Sequence, residues 1–242
     1  QSGKSIAMLK EFAYRYAESL PLTVDISLLT FIPIEQPLIY VAGQYVEVEL
    51  NGTLMPLSIA NAPQIDGKLE FHLRHNPSHP LAEQFLTHLK TQQVIYFRGP
   101  FGHCTLANTQ PGQSLLFLAG GTGFAMIKAL LIAAFVERPT SFIELYWGIS
   151  RPEDAYDEKL LKKWQKDHSQ FHYTLVLSKP EEFPAWQGPT GFVHEYCAKQ
   201  HPHFQKQYVF ASGPYAMVMG AKTLFTRQRL NAAELCSDML VA

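Results

Sequence analysis

The chain has 242 residues, of which 47% are hydrophobic and 17% are charged, so it can bury a core in one large domain or two small ones. Its 20 lysine and arginine residues nearly balance 21 acidic residues, which leaves a formal net charge of -1. Without a strong positive field, nucleic acid is excluded as the expected main partner.

The three cysteines, Cys104, Cys197 and Cys236, are scattered along the sequence and odd in number. Their spacing indicates neither a disulfide framework nor a CxxC metal knuckle, and it favours a reducing compartment. The first residues do not have the charged start and apolar core of a secretory signal peptide. We therefore expect a cytoplasmic protein.

In the first half of the chain, short β-type runs follow one another from residue 12 to about residue 106. Turn signals separate these runs, and Asn51-Gly52 is typical of a two-residue hairpin. Many short strands at close spacing predict an antiparallel barrel or sandwich. The predicted strands are 23–31, 44–50, 56–60, 68–74 and 94–98, with one helix at 80–89.

After a polar, turn-rich segment at residues 107–113, strands and helices alternate. Such a βαβ series predicts a parallel sheet with helices on both faces. The domain boundary is placed in this segment, which gives a first domain over residues 8–108 and a second over 113–242. The predicted strands are 114–119, 142–148, 171–177, 207–211 and 234–236, and the predicted helices are 123–137, 156–167, 192–200 and 214–230.

A glycine-rich turn, Gly120-Gly121-Thr122-Gly123, joins the apolar strand at 114–119 to the next helix. It interrupts an apolar stretch that could be mistaken for a membrane span, and we predict no span there. Glycines let the backbone approach a ligand, and a helix start offers free N–H groups to phosphate. The turn matches neither GxGxxG nor a P-loop. We predict that it holds the pyrophosphate of a nicotinamide dinucleotide, and the alternative is an ordinary tight turn.

Five motifs, each weak alone, follow one another along the chain. They are Pro56-Leu57-Ser58-Ile59-Ala60-Asn61-Ala62-Pro63, Gly99-Pro100-Phe101-Gly102, Gly120-Gly121-Thr122-Gly123-Phe124-Ala125, Tyr146-Trp147-Gly148 with Arg151 and Tyr156 beyond, and Ala211-Ser212-Gly213-Pro214 with Met217. In this order they resemble the ferredoxin–NADP reductase superfamily. The resemblance is strongest to bacterial NAD(P)H–flavin reductases, oxygenase reductase components and CDP-6-deoxyglucoseen reductase, and it covers roughly residue 12 to the C-terminus.

The resemblance implies an antiparallel Greek-key β-barrel of the flavin-binding type, followed by an α/β parallel-sheet nucleotide-binding domain. It implies FAD or FMN on the barrel and NAD(P)H on the second domain. Ser58 matches the serine of the family's R-x-[YF]-S motif, and Asp238 matches an acidic residue beside both rings, so these two are the implied catalytic residues. Taken alone, Ser58 is a strand serine and Asp238 an exposed terminal carboxylate.

The cofactor-binding residues that the resemblance implies fall on both domains. On the flavin side they are Pro56, Leu57, Ser58, Ile59, Ala60, His72, Leu73 and Arg74. On the nucleotide side they are Gly120, Gly121, Thr122, Gly123, Arg151, Ser212, Gly213, Pro214 and Met217. The implied role of Arg151 is to meet the adenosine ribose, where a 2′-phosphate would attract it. Its ordinary alternative is a solvated surface charge.

Two departures from the family pattern affect the flavin side. Met55 replaces the arginine of the R-x-[YF]-S motif, and a thioether cannot pair with phosphate as a guanidinium does. The family's Pro-Gly-Gly segment reads Pro77-Ser78-His79-Pro80-Leu81, in which Pro80 has no N–H to offer. Arg74 is retained and can take over some phosphate pairing. We therefore expect flavin to bind loosely, as an exchangeable substrate, or not at all.

Two functions are compatible with these residues. The leading hypothesis is an NAD(P)H-dependent flavin oxidoreductase, which passes electrons to a separate acceptor protein or releases reduced flavin. The alternative is a module that has lost flavin but binds a nucleotide or docks on a partner. Three cysteines cannot supply the four ligands of a plant-type iron–sulfur cluster. His72 and His75 lie three apart on a predicted strand and point to opposite faces, so we predict no metal site.

Overall fold

The computed structural model describes residues 10–204 and 206–240. The outer limits of the two predicted domains, residues 8 and 242, lie outside this range. The first half forms a six-stranded antiparallel sheet in the order β4-β3-β6-β1-β2-β5, which confirms the predicted antiparallel domain. Its strands are β1 (Glu11–Pro21), β2 (Ile26–Pro33), β3 (Tyr45–Leu50), β4 (Thr53–Ser58), β5 (Leu69–Arg74) and β6 (Val94–Phe101), with helix α1 (Pro80–Thr91) between β5 and β6.

The hairpin between β3 and β4 turns at Asn51-Gly52, as predicted. Both residues have positive φ values, 49° and 81°, which this turn requires. The turn pairs Leu50 with Thr53, so β4 begins three residues earlier than the predicted strand and ends at Ser58. The hairpin therefore brings Ser58 beside Tyr45, its register partner on β3.

Strand β1 is absent from the predicted strands, although it is the longest strand of the sheet and pairs with both β2 and β6. Only Tyr14 of its residues is fully buried, so its sequence shows little apolar alternation. The hydroxyl of Tyr14 donates to the Gly67 carbonyl at 3.1 Å and accepts the Leu38 N–H at 2.9 Å. Tertiary pairing, rather than a local pattern, thus defines this strand.

The second half forms a parallel sheet in the order β11-β10-β7-β8-β9. Helices α2 and α3 pack on one face and α4 and α5 on the other, which confirms the predicted βαβ arrangement. The strands are β7 (Ser114–Gly120), β8 (Ile143–Ile149), β9 (Phe171–Leu177), β10 (Gln207–Ser212) and β11 (Leu235–Cys236). The helices are α2 (Phe124–Glu137), α3 (Glu158–Asp167), α4 (Val193–Gln200) and α5 (Tyr215–Arg227).

The cysteines are not scattered in space. Cys104, just after β6, is bonded to Cys236 on β11, and their Cα atoms are 5.5 Å apart. The prediction that the cysteines form no disulfide is therefore wrong, because a separation of 132 residues hides the pairing from the sequence. Cys197 is free and buried in α4. Ala42, Cys104 and Leu106, which precede the predicted domain boundary, pack into the core of the second domain. The boundary at residues 109–112 stays a prediction.

No helix within residues 10–204 and 206–240 combines the length and the apolar character that crossing a membrane requires.

Candidate functional site

A cleft of about 1110 Å³ lies between the two domains. The barrel contributes the ends of β4 and β5 and the start of α1. The second domain contributes the carboxyl ends of β7, β8 and β10 and the helix starts that follow β7 and β10. Ligands of open parallel sheets bind outside the carboxyl ends of the strands, so the cleft lies where this fold places a ligand.

The nucleotide half of the cleft is built from two neighbouring strand-to-helix turns. One follows β7 and is the glycine-rich turn, and the other follows β10 at Gly213. The structure brings eight of the nine predicted nucleotide-side residues to the cleft, and their role in binding stays a prediction. They are Gly120, Gly121, Thr122, Gly123, Ser212, Gly213, Pro214 and Met217.

Because glycine has no Cβ, the glycines of these two turns allow the turns to come into contact. A Cβ on Gly123 would lie 2.1 Å from the Ser212 carbonyl oxygen, and one on Gly120 would lie 2.7 Å from Met217 Sδ. The indole Nε1 of Trp147 donates to the Gly121 carbonyl at 3.0 Å, so β8 supports the turn from the other side. The turn is a rigid cradle, open toward the cleft, whose backbone N–H groups can meet phosphate.

On the flavin half, Ser58 is half-buried at the end of β4 and lines the cleft. Five other predicted flavin-side residues also line it, and they are Pro56, Leu57, His72, Leu73 and Arg74. Ile59 and Ala60 do not line the cleft, and their role as cofactor-binding residues stays a prediction. Both are buried, because the chain turns into the barrel once β4 ends at Ser58.

Two aromatic side chains of the cleft, Tyr45 and Phe192, were not predicted. Tyr45 lies on β3 opposite Ser58, and its ring is 5.6 Å from that of Phe101. Phe192 precedes α4 and is 61% exposed, so its ring is available to a ligand in the cleft. The register of the Asn51-Gly52 hairpin is the sequence signal that would have placed Tyr45 beside Ser58.

Asp238 enters the cleft from the C-terminal segment. A Cβ on Gly102 would lie 3.2 Å from Asp238 Oδ1 and equally close to Tyr45 Cδ1, so the carboxyl rests against the end of the barrel. Burial raises the pKa of Asp238, and the nearby His103 opposes this only in part. The structure thus brings both predicted catalytic residues, Ser58 and Asp238, to the cleft.

Arg74 and Arg151 meet in one ion-pair network across the domain interface. Asp25 lies 2.7 Å from an Arg74 nitrogen and 2.8 Å from an Arg151 nitrogen, and Asp154 lies 3.4 Å and 3.0 Å from the same two side chains. Burial by itself would raise the pKa of Asp25, but hydrogen bonds from Asn76, Arg151 and Arg74 outweigh it and hold that pKa well below its usual range.

This network changes the interpretation of both arginines. Arg151 is not among the residues that line the cleft, so the structure gives it a domain contact instead of the predicted place at the adenosine ribose. Arg74 does line the cleft, but its guanidinium is already held by two carboxylates. Met55 is buried in the barrel core at 5% exposure and offers no charge.

The Asp154→Ala substitution should destabilise the protein, because its carboxylate is 2% exposed and pairs with both arginines. We expect the free energy of unfolding to fall by about 1.5–3 kcal/mol, the scale for losing hydrogen bonds to charged groups, because Asp25 still pairs with both arginines. Urea denaturation measures this loss. The matched control is Glu153→Ala, whose exposed carboxylate lies 3.8 Å from Arg151 and should cost less than about 0.5 kcal/mol. Equal losses in the two variants would contradict the assignment.

His72 is the most deeply placed titratable group of the cleft. It is 7% exposed, its Nδ1 lies 2.9 Å from the Tyr156 hydroxyl, and its Nε2 has no hydrogen-bond partner among the residues that the structure describes. Burial, with a smaller effect of Lys128, lowers its pKa to about 3. His75 bonds to Ser27 and His79 to Asn76, so these three histidines do not converge on a common point.

The buried His72 should make the protein acid-sensitive. The unfolded chain takes up a proton near pH 6.5 while the folded chain does so only near pH 3, so stability is lost as the pH falls between these values. The cost is about 1.4 kcal/mol per pH unit, or about 2 kcal/mol at pH 5. Urea denaturation of His72→Gln at pH 7 and pH 5 should show this pH dependence removed. The control His88→Gln, on the exposed face of α1, should retain it.

Comparison with known proteins assigns the two halves of the chain to the two kinds of domain that the sequence motifs predict. Residues 19–106 match the family model of the oxidoreductase FAD-binding domain. Residues 117–223 match the family model of the oxidoreductase NAD-binding domain. The cleft described above lies where these two matched regions meet.

Whole-chain comparisons agree. The chain is 32% identical over 218 residues to CDP-6-deoxy-L-threo-D-glycero-4-hexulose-3-dehydrase reductase of Yersinia pestis. The aligned residues make up 90% of this chain and 65% of that protein. It is 27% identical to a probable flavin reductase of Aliivibrio fischeri, over 86% of this chain and 89% of the relative. The structure of the Amycolatopsis cytochrome P450 reductase GcoB superposes with a TM-score of 0.83 at 26% identity, covering 94% of this chain and 68% of that one. The chain therefore combines a region of the oxidoreductase FAD-binding domain family with one of the oxidoreductase NAD-binding domain family, and it spans slightly less than two thirds of the Yersinia pestis reductase.

Proposed function

We propose that this chain is an NAD(P)H-dependent flavin oxidoreductase, in which hydride passes from nicotinamide C4 to flavin N5. The observation that carries this proposal is the cleft itself. The glycine-rich turn of the NAD-binding domain and Ser58 of the FAD-binding domain line the same cavity. Hydride transfer needs reacting atoms roughly 3–3.5 Å apart, which a rigid two-domain cleft can provide.

The nucleotide half fits its cofactor well. The space where a Cβ of Gly121 would stand is open, and the turn leads into α2, whose start offers free backbone N–H groups to phosphate. Gly213 and Met217 form the neighbouring wall, at which we place the nicotinamide ring. The chain's contribution here is to bind and orient, since the redox chemistry belongs to the cofactors.

The flavin half of the cleft is better suited to the flavin ring than to the flavin phosphate. Tyr45 and Leu57 offer apolar surface, and the Ser58 hydroxyl can hydrogen-bond at the reacting edge of the ring. When bound, flavin accepts the hydride and passes on electrons. Asp238, whose pKa is raised by burial, is placed to hold a proton at Oδ1 or Oδ2 near that edge.

We also propose that flavin binds loosely and exchanges with solution. Arg74 is the only lysine or arginine among the described residues that line the cleft, and Asp25 and Asp154 already neutralise it. Met55 and Pro80 supply neither charge nor an N–H group at the phosphate positions. The ring, not the phosphate, should therefore dominate affinity. The flavin reductases among the relatives support this reading.

The test is a flavin titration of the purified protein, followed by NADH and NADPH oxidation with added riboflavin, FMN and FAD. A charged hydrogen bond to phosphate contributes about 10- to 100-fold in affinity, so without one the three Kd values should agree within about tenfold. Stoichiometric yellow flavin that survives dialysis would contradict loose binding. Intact nucleotide binding without turnover on any flavin would favour the alternative, a flavin-free nucleotide-binding or partner-docking module.

The electron acceptor and the location belong to the proposal as well. Relatives include the reductase component of phenol 2-monooxygenase in Pseudomonas and the electron transfer component of anthranilate 1,2-dioxygenase in Acinetobacter baylyi. By analogy, we propose that reduced flavin leaves the cleft or that a separate protein accepts the electrons. We also propose the cytoplasm as the location, where NAD(P)H is available.

A further inference from the structure

We propose that the Cys104–Cys236 disulfide is a positioning element of the cleft, which holds Asp238 in place and makes hydride transfer depend on the redox state of this cysteine pair. The inference rests on the proposed function. It concerns a bond between residues that do not themselves line the cleft.

Each cysteine lies two residues from one side of a contact at the cleft. Cys104 follows Gly102, and Cys236 precedes Asp238. The Asp238 carboxyl rests against Gly102, where an added Cβ would be 3.2 Å from Oδ1. The disulfide therefore joins the two short segments that meet at this carboxyl. It fixes the end of the barrel and the C-terminal segment against each other.

Leu235, Cys236 and Ser237 of the C-terminal segment, residues 235–240, are buried, but few hydrogen bonds among the described residues tie this segment to the rest of the protein. Strand β11 pairs with β10 through only two residues, Leu235 and Cys236. Beyond it, the hydrogen bonds of Met239 and Leu240 run back to Ser237 within the segment itself. Short elements with few long-range bonds open at low free energy. The covalent bond is thus the strongest connection between Asp238 and the barrel in the part of the chain that the structure describes.

A histidine lies beside the buried sulfur atoms. Cys104 and Cys236 are buried, at 0% and 6% exposure, and a ring nitrogen of the exposed His103 lies within 4.8 Å of both sulfurs. A positively charged imidazole at this distance favours the thiolate, which is the form that disulfide exchange needs. In a reducing compartment, disulfides that do form are usually transient and redox-sensing.

The redox step balances with a peroxide as the oxidant and dithiothreitol as the reductant. Oxidation of the two thiols forms the S–S bond and releases two electrons and two protons, which reduce one peroxide molecule to two water molecules. Reduction by dithiothreitol returns both cysteines to thiols and leaves the reagent as its cyclic disulfide.

The experiment compares oxidised and dithiothreitol-reduced wild-type protein, with thiols counted by alkylation and mass spectrometry after removal of the reductant. Flavin reduction by NADH is followed over pH, and hydrogen exchange is followed at residues 235–240. We expect reduction to lower kcat about tenfold with little change in the KM for NADH, to change the pH profile of kcat, and to speed exchange in the segment. Such a kcat effect is the scale for a displaced catalytic group.

Four variants separate positioning from general stability. Cys104→Ser and Cys236→Ser should both have the kcat of the reduced protein, whether or not reductant is present. Cys197→Ser, a buried cysteine outside the pair, should respond to reduction as the wild type does. Asp238→Asn should lose the response to reduction while keeping the disulfide. If a cysteine variant does not fold, the comparison of oxidised and reduced wild type still decides the matter.

Unchanged kcat, pH profile and exchange after full reduction would overturn the proposal and leave the disulfide as a structural bond. Stoichiometric zinc on His103 and both cysteines in protein purified without oxygen would also overturn it. If no variant reduces flavin but reduction still speeds exchange at residues 235–240, the proposed function fails while the positioning of the segment stands.

Discussion

Gly123→Ala is expected to raise the Kd for NADH at least tenfold and to lower the free energy of unfolding by about 1–3 kcal/mol, the range for overpacking. The new Cβ would lie 2.1 Å from the Ser212 carbonyl oxygen and 2.7 Å from the Gly213 nitrogen. Both are backbone atoms, which cannot rotate away as a flexible side chain could. The turn after β7 and the turn after β10 must therefore separate, and together they form the nucleotide half of the cleft.

The measurement is NADH binding by isothermal titration, with stability from urea denaturation. Gly112→Asn is the matched control, because Gly112 has a φ of 75°, which asparagine tolerates, and its nearest neighbour is Thr140 Oγ1 at 3.9 Å. It lies outside the cleft and should leave the Kd unchanged. Tight NADH binding by Gly123→Ala would show that the close approach of the two turns is not needed for the nucleotide.

The sequence predicts the second domain well because its signals are local. An unbroken apolar strand at residues 114–119, followed by glycines and an apolar helix, is typical of a buried parallel strand and its crossover helix. The structure shows β7 at Ser114–Gly120 and α2 from Phe124 to Glu137. The observed bounds of β9, Phe171–Leu177, equal the predicted ones. Here propensity, periodicity and tertiary packing all favour the same structure.

The less predictable features are contacts between distant residues. From the sequence alone, Arg151 is expected to be a free cation. Asp25 lies 126 residues away along the chain and pairs with Arg151 only when the domains dock. Cys104 and Cys236 are separated by 132 residues, so their pairing has no local pattern. Charge complementarity across an interface and long-range cysteine pairing both depend on the packed fold. The chemistry of the cleft therefore differs from the sequence prediction most where its charges are neutralised by remote partners.

Ser58→Ala is expected to lower kcat for flavin reduction by about 100-fold, the scale for removing one preorganised hydrogen-bond donor beside a reacting atom. The Kd for flavin should rise by no more than about fivefold, because the proposed binding relies on the ring face and the net value of this hydroxyl is only about 1 kcal/mol. Pre-steady-state absorbance at the flavin band, with NADH saturating, measures hydride transfer directly.

Ser141→Ala is the matched control for Ser58→Ala. Ser141 is fully buried before β8, lies outside the cleft, and its hydroxyl has no partner within the protein. Its loss should leave kcat unchanged, whereas a general effect of losing a serine hydroxyl would lower both variants equally. Unchanged hydride transfer in Ser58→Ala would remove Ser58 from the catalytic residues. Asp238 would then be the one predicted catalytic residue that remains in the cleft.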